Sequence, residues 1–322
     1  RFEMNIPEGV TVQNTGKTFK MGQLTGKGAL GGYSSFSNDG KSATNTWQAG
    51  NDENFTFDGK LVGADAFTKI GEGKMTISGV WENTGAVRVN EGELQLKSSG
   101  LPGKGSLTVA AGATLSGTSK SSTPLTNSSF TINGTIRPGA TAAAVTGYLN
   151  FNGKNVTFGA KSRIVVGLRK SASASAPNNS YLTNIGTLSL AAGTTIAPFI
   201  SEANLANLTI DEAVADSFFI WTDVKTVKVA GDLNFDLPEL PSYNYWDTSR
   251  IAEGILYVRC DAEKYQEYLT GISDIDADEM VEVDVCDVRG IRVSEFTCPM
   301  RQVSSAYAQL SLKRGVYLLN VK

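Results

Sequence analysis

The side chains that could carry acid–base chemistry in this chain are carboxylates, because its 322 residues include no histidine. Histidine is the commonest general base and a frequent zinc ligand. Cleavage of a glycosidic bond without it needs paired Asp or Glu residues, or an acidic cluster that holds Ca²⁺ beside a base. Between Glu93 and Glu202 the sequence has neither Asp nor Glu. We therefore predict no catalytic residue, no metal site and no cofactor, and a chain that is not an enzyme.

The same span is basic, with a charge of +9 against −12 for the remainder of the chain. Four of its cations fall within ten residues: Lys161, Arg163, Arg169 and Lys170. One interpretation is that they bind an acidic glycan or a lipopolysaccharide phosphate. The other, which we favour, is that they are solvated positions that keep a long sheet soluble. The aromatic residues Tyr243, Tyr245 and Trp246 could stack on sugar rings, although packing explains them more simply.

Two further sets of side chains have typical ligand chemistry but unsuitable spacing. The acids of residues 274–279 alternate as in a Ca²⁺ loop, yet an EF-hand would have Gly at Glu279 and Glu at Val285. A solvated linker is therefore the better interpretation. The three cysteines are Cys260, Cys286 and Cys298, an odd number that argues against a disulfide framework. A Cys286–Cys298 bridge across a hairpin and small buried thiols both remain open.

These residues must be positioned by a repeat that runs from Gly85 to Ile196. Short runs of alternating apolar residues flank turns centred on glycines 92, 112, 134, 153 and 193, at steps close to twenty residues or twice that. Alternation with period two predicts strands, and a repeat of this length without helices predicts stacked rungs of a β-solenoid. We expect the following side chains to point inward: Val89, Leu94, Leu96, Leu107, Val109, Leu115, Phe130, Ile132, Ile136, Val156, Ile164 and Val166.

The run Phe67–Gly79 resembles the "LTKTGxGTLTLSG" opening of the autotransporter-associated (passenger-associated) β-strand repeat. Residues 87–96 are similar to its "TTVNxGTLQL" continuation, and residues 106–117 and 130–139 to later portions. Residues 237–258 resemble a closing rung of such proteins. The resemblance implies a right-handed parallel β-helix on a bacterial cell surface. The family is structural, so it brings no catalytic residues.

The last residues resemble a second family, the C-terminal sorting domain of type IX secretion substrates. A hairpin is predicted by alternation over 281–288 and 291–296 around Arg289-Gly290, and a final strand by 315–322. The matching motif positions include Asp287, Gly290, Arg292, Gly315 and Tyr317, while Cys286 replaces a usual aromatic. The resemblance implies a small antiparallel β-sandwich recognised by secretion or surface-anchoring machinery. We expect its core to contain Val283, Val285, Val293, Leu312, Tyr317 and Leu319.

Together these patterns predict an all-β protein in three parts: a solenoid over 1–259, with 1–50 as its cap or first rungs, a linker with a short helix over 260–270, and the sandwich over 271–322. We expect a non-catalytic, adhesin-like scaffold, the C-terminal part of a larger exported protein at the outer-membrane surface of a Gram-negative bacterium or outside it. The alternatives are a carbohydrate-binding module and a lyase-like enzyme with acids from 51–93 or 202–261. Expected partners are the secretion machinery and a glycan or another surface protein, with no nucleic acid and no transmembrane segment.

Overall fold

A computed structural model describes residues 2–14, 18–31, 35–36, 42–43, 45–97, 100–119, 121–139, 147–169, 179–201, 216–240, 243–265, 278–308, 310 and 317–321. The chain forms two compact units. The first comprises Arg1–Thr209, Asp216–Glu239 and Trp246–Val258, and the second Ile210–Ala215, Leu240–Tyr245 and Arg259–Lys322. None of the helices in the described ranges is long and apolar enough to cross a membrane.

Strands dominate the described residues. In chain order they are β1 Met4–Ile6, β2 Thr11–Val12, β3 Thr18–Met21, β4 Leu24–Gly26, β5 Ala29–Gly31, β6 Ser35–Phe36, β7 Ser42–Ala43, β8 Thr46–Ala49, β9 Phe55–Phe57, β10 Lys60–Val62, β11 Ala66–Lys69, β12 Lys74–Ile77, β13 Val80–Trp81, β14 Val87–Val89, β15 Glu93–Leu96, β16 Leu101–Pro102, β17 Leu107–Val109, β18 Thr114–Gly117, β19 Phe130–Ile132, β20 Thr135–Pro138, β21 Tyr148–Phe158, β22 Arg163–Ile164, β23 Gly167–Leu168, β24 Tyr181–Ala191, β25 Thr195–Ile196, β26 Phe199–Ile200, β27 Asp216–Phe219, β28 Trp221–Ala230, β29 Asn234–Phe235, β30 Asn244–Asp247, β31 Ile255–Cys260, β32 Met280–Asp287, β33 Arg292–Pro299 and β34 Tyr317–Val321.

The first unit is a parallel β-helix with three faces. Face A is a ten-stranded sheet in the order β1-β4-β9-β12-β15-β18-β20-β22-β25-β29, and face B is a nine-stranded sheet in the order β28-β24-β21-β19-β17-β14-β11-β8-β3. Face C consists of the short sheets β10-β5-β2, β13-β16 and β23-β26. Strands of 1–50 belong to all three faces, so this segment supplies rungs. The predicted all-β fold with a parallel β-helix is confirmed.

Alternation along the strands places apolar side chains in continuous interior columns. The pairing Val89↔Val109 is followed by Val109↔Ile132 and Ile132↔Phe158, so each inward residue lies on its equivalent in the next rung. All twelve side chains that the sequence predicts to point inward are at most 2% exposed. Burying apolar area between rungs is the main stabilising contribution, since a single rung cannot enclose a core.

The turn glycines serve two different purposes. Gly112 has φ of +84° with open space around the position of a Cβ, so it is there for its backbone conformation. Gly134 is not in the left-handed region. A Cβ on it would lie 2.2 Å from the carbonyl oxygens of Ala110 and Ala113. Gly134 is therefore required by the close stacking of rungs and not by a left-handed backbone conformation.

The C-terminal residues form a small antiparallel sheet in the order β33-β32-β34. Its core contains Val281, Val283, Cys298 and Val303, the last from a short helix over Val303–Ala308. The described tail residues show this one sheet of the expected sandwich.

The predicted tail core is only partly correct. Val285 is buried with Val283, whereas Val293 is 46% and Leu319 40% exposed. The register shifts between Val285, which pairs with Ser294, and Cys286, which pairs with Arg292. Val293 lies between these two pairs and is the unpaired bulge residue. Leu319 lies on β34, which pairs with β32 alone among the described strands. Leu312 lies outside the described residues.

The same register excludes the Cys286–Cys298 bridge. Cys298 lies opposite Val281, while Cys286 lies opposite Arg292, five positions further along β32. That separation is about 17 Å at the rise of a strand, beyond the reach of a disulfide. None of Cys260, Cys286 and Cys298, all of which the structure describes, forms a disulfide, and burial raises the pKa of the Cys298 thiol.

Candidate functional site

Lys69 is an inward-facing lysine in an otherwise apolar column of face B. Its register neighbours are Ala49 and Val89. Its side chain is fully buried, and Nζ donates hydrogen bonds to the carbonyl oxygens of Ile70 at 3.0 Å, Gly71 at 2.6 Å and Glu91 at 3.2 Å. Lys69 thereby joins the turns of two successive rungs.

Acidic side chains surround the turns into which Lys69 reaches. We call this group the acidic corner: Asp52, Glu72, Glu91 and Glu93. Burial lowers the pKa of Lys69 to about 8, although these four carboxylates favour its charged form and oppose the shift. The Glu91 carboxylate also accepts the backbone N–H of Gly71 at 2.5 Å. The amine donates into the corner instead of presenting a lone pair to solvent, which is the geometry of a structural cation.

The carboxylate of Asp65 is also buried, in the position directly before β11. It accepts a hydrogen bond from Trp47 Nε1 at 2.9 Å and is 3% exposed. Burial raises the pKa of Asp65, and its hydrogen bonds to Trp47 and Asn45 partly counteract that shift. Asp65 is one of the acids of 51–93 that a lyase-like enzyme could have used. Its side chain is instead committed to a buried tryptophan.

The outer side of face A carries the polar cluster of Glu93. One carboxylate oxygen of Glu93 accepts from Arg137 Nη2 at 2.9 Å and from Ser116 Oγ at 2.5 Å. In the adjacent rungs the register partners of Glu93 are Lys74 and Thr114. A glycosidase places a second carboxylate near the first. The rungs beside Glu93 offer a cation and a hydroxyl, which favours an ion-paired structural role.

The predicted basic cluster is spread around one rung. Lys161 is exposed in the turn before β22, Arg163 lies in β22 on face A, and exposed Arg169 follows β23 on face C. Arg163 pairs with Asp236 at 2.5 Å, beside a surface cavity of about 270 Å³ lined by Phe199 and Pro238 among others. Lys170 lies outside the described residues. One of the three described cations therefore already has an acidic partner.

The aromatic candidates do not form one platform. Trp246 packs near Phe218 at 6.3 Å and donates from Nε1 to the carbonyl oxygen of Pro238 at 2.8 Å. Tyr243 packs against Tyr265 at 5.2 Å. Tyr245 is 49% exposed. Because neighbouring residues of a strand point to opposite sides, Tyr245 and Trp246 cannot stack on the same sugar.

The sorting-motif residues build the tail hairpin. The Asp287 carboxylate accepts the backbone N–H groups of Ile291 at 3.0 Å and Arg289 at 2.9 Å, and these hydrogen bonds lower its pKa. Gly290 follows with φ of +79°, the left-handed conformation that the turn requires. Tyr317 lies opposite Asp287 in β34. Gly315 lies outside the described residues.

Three tail carboxylates, from Glu282, Asp284 and Glu295, lie within 4.8 Å of one another. Arg292 donates to Asp284 at 3.0 Å and pairs with Glu295 at 2.7 Å. Its guanidinium therefore supplies a positive charge inside the group that could otherwise hold a cation. In the predicted acidic linker, Asp278 forms an ion pair with Arg301, and residues 274–277 lie outside the described part.

Lys69 is not among the residues predicted from the sequence, although one signal was present. Lys69 occupies the repeat position held by Val89 and Val109 in later rungs, where a lysine breaks the apolar alternation. No protein-family model, curated protein or solved structure matches the chain at a significant level. The resemblances to the autotransporter-associated repeat and to the sorting domain therefore stay predictions.

Proposed function

We propose that this chain is a non-catalytic, adhesin-like scaffold of a secreted or surface-exposed protein. The observation that carries the proposal is the ten-stranded, in-register face A, whose inward side chains fill the β-helix as a solid apolar core. A core of this kind makes a stiff support, and it leaves the outer faces and turns free to carry recognition.

The roles of the carboxylates support a scaffold over a lyase-like enzyme. Asp65 holds Trp47, Glu91 holds the Gly71 turn and Glu93 is paired with Arg137. Each of these acids comes from the segment that the lyase alternative would draw on. Each has a structural partner that would have to be given up before it could act as a general acid or base.

For the tail, we propose recognition by secretion or surface-anchoring machinery, at the outer membrane of a Gram-negative bacterium or outside it. The proposal is supported by the hairpin of β32 and β33, because the motif residues Asp287 and Gly290 form its turn. Such a turn presents the residues between β32 and β33 in a fixed conformation, as a recognition signal requires.

The location is tested by deleting 271–322 from the protein and following it in cells. We expect the truncated protein to keep its β-helix, checked by circular dichroism and protease resistance, and to lose exposure to a protease added outside the cells. A matched control changes Arg301 to Gln, which removes the pair with Asp278 and leaves the hairpin intact. Normal surface levels of the truncated protein would contradict the sorting role.

The absence of catalysis is tested with the full chain on pectin, alginate and glycosaminoglycans. We expect neither new reducing ends nor the absorbance of unsaturated uronate. Turnover that disappears in Glu91→Gln or Glu93→Gln would restore the lyase interpretation. Arraying neutral and acidic glycans tests the carbohydrate-binding alternative directly.

A further inference from the structure

Face B carries an outward column in which hydroxyl side chains lie between two cations. We call it the polar column and define it by six residues: Arg88, Thr108, Thr131, Thr157, Ser189 and Lys228. Consecutive register pairs link them from β14 through β28. Their chain neighbours, such as Leu107 and Val109, are fully buried, so the column itself faces outward.

The described strands of face B are strongly cationic on their outer side. Arg88 and Lys228 are joined by Lys154 in β21 and Lys225 in β28, and all four side chains are exposed. Asp223 is the one carboxylate in the described strands of face B. No hydrogen bond or ion pair joins any of the four cations to a carboxylate within the described part of the chain. Their charges are therefore available to an anionic partner.

The spacing of the column suits an extended polymer that runs along the β-helix axis. Neighbouring strands are about 4.8 Å apart, so the five steps from Arg88 to Lys228 cover about 24 Å. Each intervening rung offers one hydroxyl, which can both donate and accept a hydrogen bond. A polyhydroxylated chain could meet a hydrogen-bonding group at every rung and a cation towards either end.

We propose that face B is a docking surface for an extended acidic polysaccharide whose carboxylates pair with Arg88, Lys154, Lys225 and Lys228. Charge complementarity argues for an acidic over a neutral glycan. Glu91 and Glu93 of the acidic corner follow β14, so this corner lies beside the Arg88 end of the column, and Thr131, Thr157, Ser189 and Lys228 lie in later rungs, further from it.

The aromatic residues of face B argue against single-stranded nucleic acid, which is held by stacking bases on free aromatic faces. Trp47, Phe67, Phe130 and other aromatic side chains of these strands point into the core. Tyr148 and Tyr181 are stacked on each other at 5.4 Å. The docking surface requires neither export nor catalysis, so its test is independent of the proposed scaffold role.

The test measures binding of the full chain to polygalacturonate and alginate, with dextran as the neutral polymer and oligo(dT) as the nucleic acid. One double variant is Arg88→Gln with Lys228→Gln. The matched control, Lys104→Gln with Lys161→Gln, removes the same charge from exposed turns outside face B. A third variant, Thr131→Glu, places a carboxylate in the middle of the column at an exposed position.

We expect salt-sensitive binding to both uronate polymers, weakened about tenfold by the face B double variant and less than about twofold by the control. Thr131→Glu should weaken it at least as strongly. Equal loss in both double variants would reduce the effect to net charge and overturn the proposal, as would no binding at low salt or tighter binding to oligo(dT) or dextran. Cleavage of the polymer would instead count against the scaffold role.

Discussion

At the scale of single residues, Lys69 is a charge placed where neighbouring rungs hold apolar side chains. Withdrawing an ammonium from water costs several kcal/mol unless partners compensate it. Three carbonyl oxygens and the acidic corner supply that compensation. Buried ionic groups often stabilise less than an apolar replacement would, and the pKa of about 8 shows incomplete compensation here.

This geometry predicts a pH-dependent effect of Lys69→Met. The folded state binds the Lys69 proton less tightly than the unfolded state, in which the pKa of lysine is 10.5. The free energy of unfolding therefore rises with pH between about 8 and 10.5. Across that window the wild type should gain up to about 3 kcal/mol relative to Lys69→Met.

The measurement is urea unfolding at a series of pH values, with the exposed Lys60→Met as the matched control. At pH 7 we expect Lys69→Met to be at least as stable as the wild type, because it removes a buried charge. If the unfolding free energies of the wild type and of Lys69→Met changed in parallel with pH, the lowered pKa of Lys69 would be contradicted.

For Asp65 we expect the opposite pH dependence of the unfolding free energy. Its folded pKa lies above the ordinary 3.8, so the wild type loses stability as pH rises from about 4 through the raised value. Asp65→Asn keeps an acceptor for Trp47 and should abolish this loss, being as stable as the wild type or more so at pH 7. Asp65→Leu leaves the buried Trp47 N–H unpaired and should cost about 1–3 kcal/mol. Thermal unfolding at pH 4 and pH 7 separates the three proteins.

At the scale of elements, the turns that join face B to face A set how closely rungs stack. Gly71 and Gly112 have nearly the same backbone, with φ of +75° and +84°. A Cβ on Gly71 would lie 2.5 Å from the carbonyl oxygen of Asn51, whereas one on Gly112 would meet nothing within 4 Å. The pair separates the effect of backbone conformation from that of crowding.

We therefore expect Gly112→Ala to cost about 1–2 kcal/mol, the penalty of the left-handed conformation. Gly71→Ala should cost about 1–3 kcal/mol more, because the next rung must shift. Chemical denaturation of both variants measures the difference. Equal losses would mean that the rungs can separate at this turn without cost.

The interior column offers a related comparison at Val109, which occupies the same column as Lys69. The turn after Val109 is Ala110-Ala111-Gly112-Ala113, and like Asn133-Gly134 of the following rung it provides no carboxylate, so only Glu91 and Glu93 of the preceding rung remain. Val109→Lys should thus cost about 3–5 kcal/mol as a poorly compensated buried charge. Val109→Met, the apolar control of similar length, should cost about 1–3 kcal/mol. Unfolding free energies at pH 7 test this, and similar values for both variants would disprove it.

Local patterns were sufficient to predict the rungs, because period-two alternation and the glycine turns are written within twenty-residue windows. Side-chain contacts between different rungs could not be predicted from such local patterns. Lys69 meets Glu91 only once the register is known, and Arg163 meets Asp236 across 73 positions. Val293 was misplaced because a single bulge residue reverses the inside and outside of the strand beyond it.

At the scale of the whole molecule, the two units have cores of very different size. The tail core is built on four buried residues, whereas the β-helix core extends through ten strands of face A. Small cores offset little chain entropy. We therefore expect the tail to open at lower denaturant than the β-helix.

Cys298 provides the measurement, because its thiol is buried in the tail core. In a Cys260→Ser, Cys286→Ser background, alkylation of Cys298 should become rapid at denaturant concentrations where the fluorescence of Trp47, Trp81 and Trp221 is still native. These three tryptophans are buried in the β-helix. Coincident transitions would show that both units unfold together.

The stacking of equivalent positions also governs which changes in chain length the molecule can absorb. A duplicated rung of about twenty residues brings its own inward side chains and its own turn, so it lengthens the β-helix without disturbing its neighbours. One extra residue inside a strand would send every following side chain of that strand to the opposite side. We therefore expect natural variation in length to come as whole rungs, or as insertions at the turns.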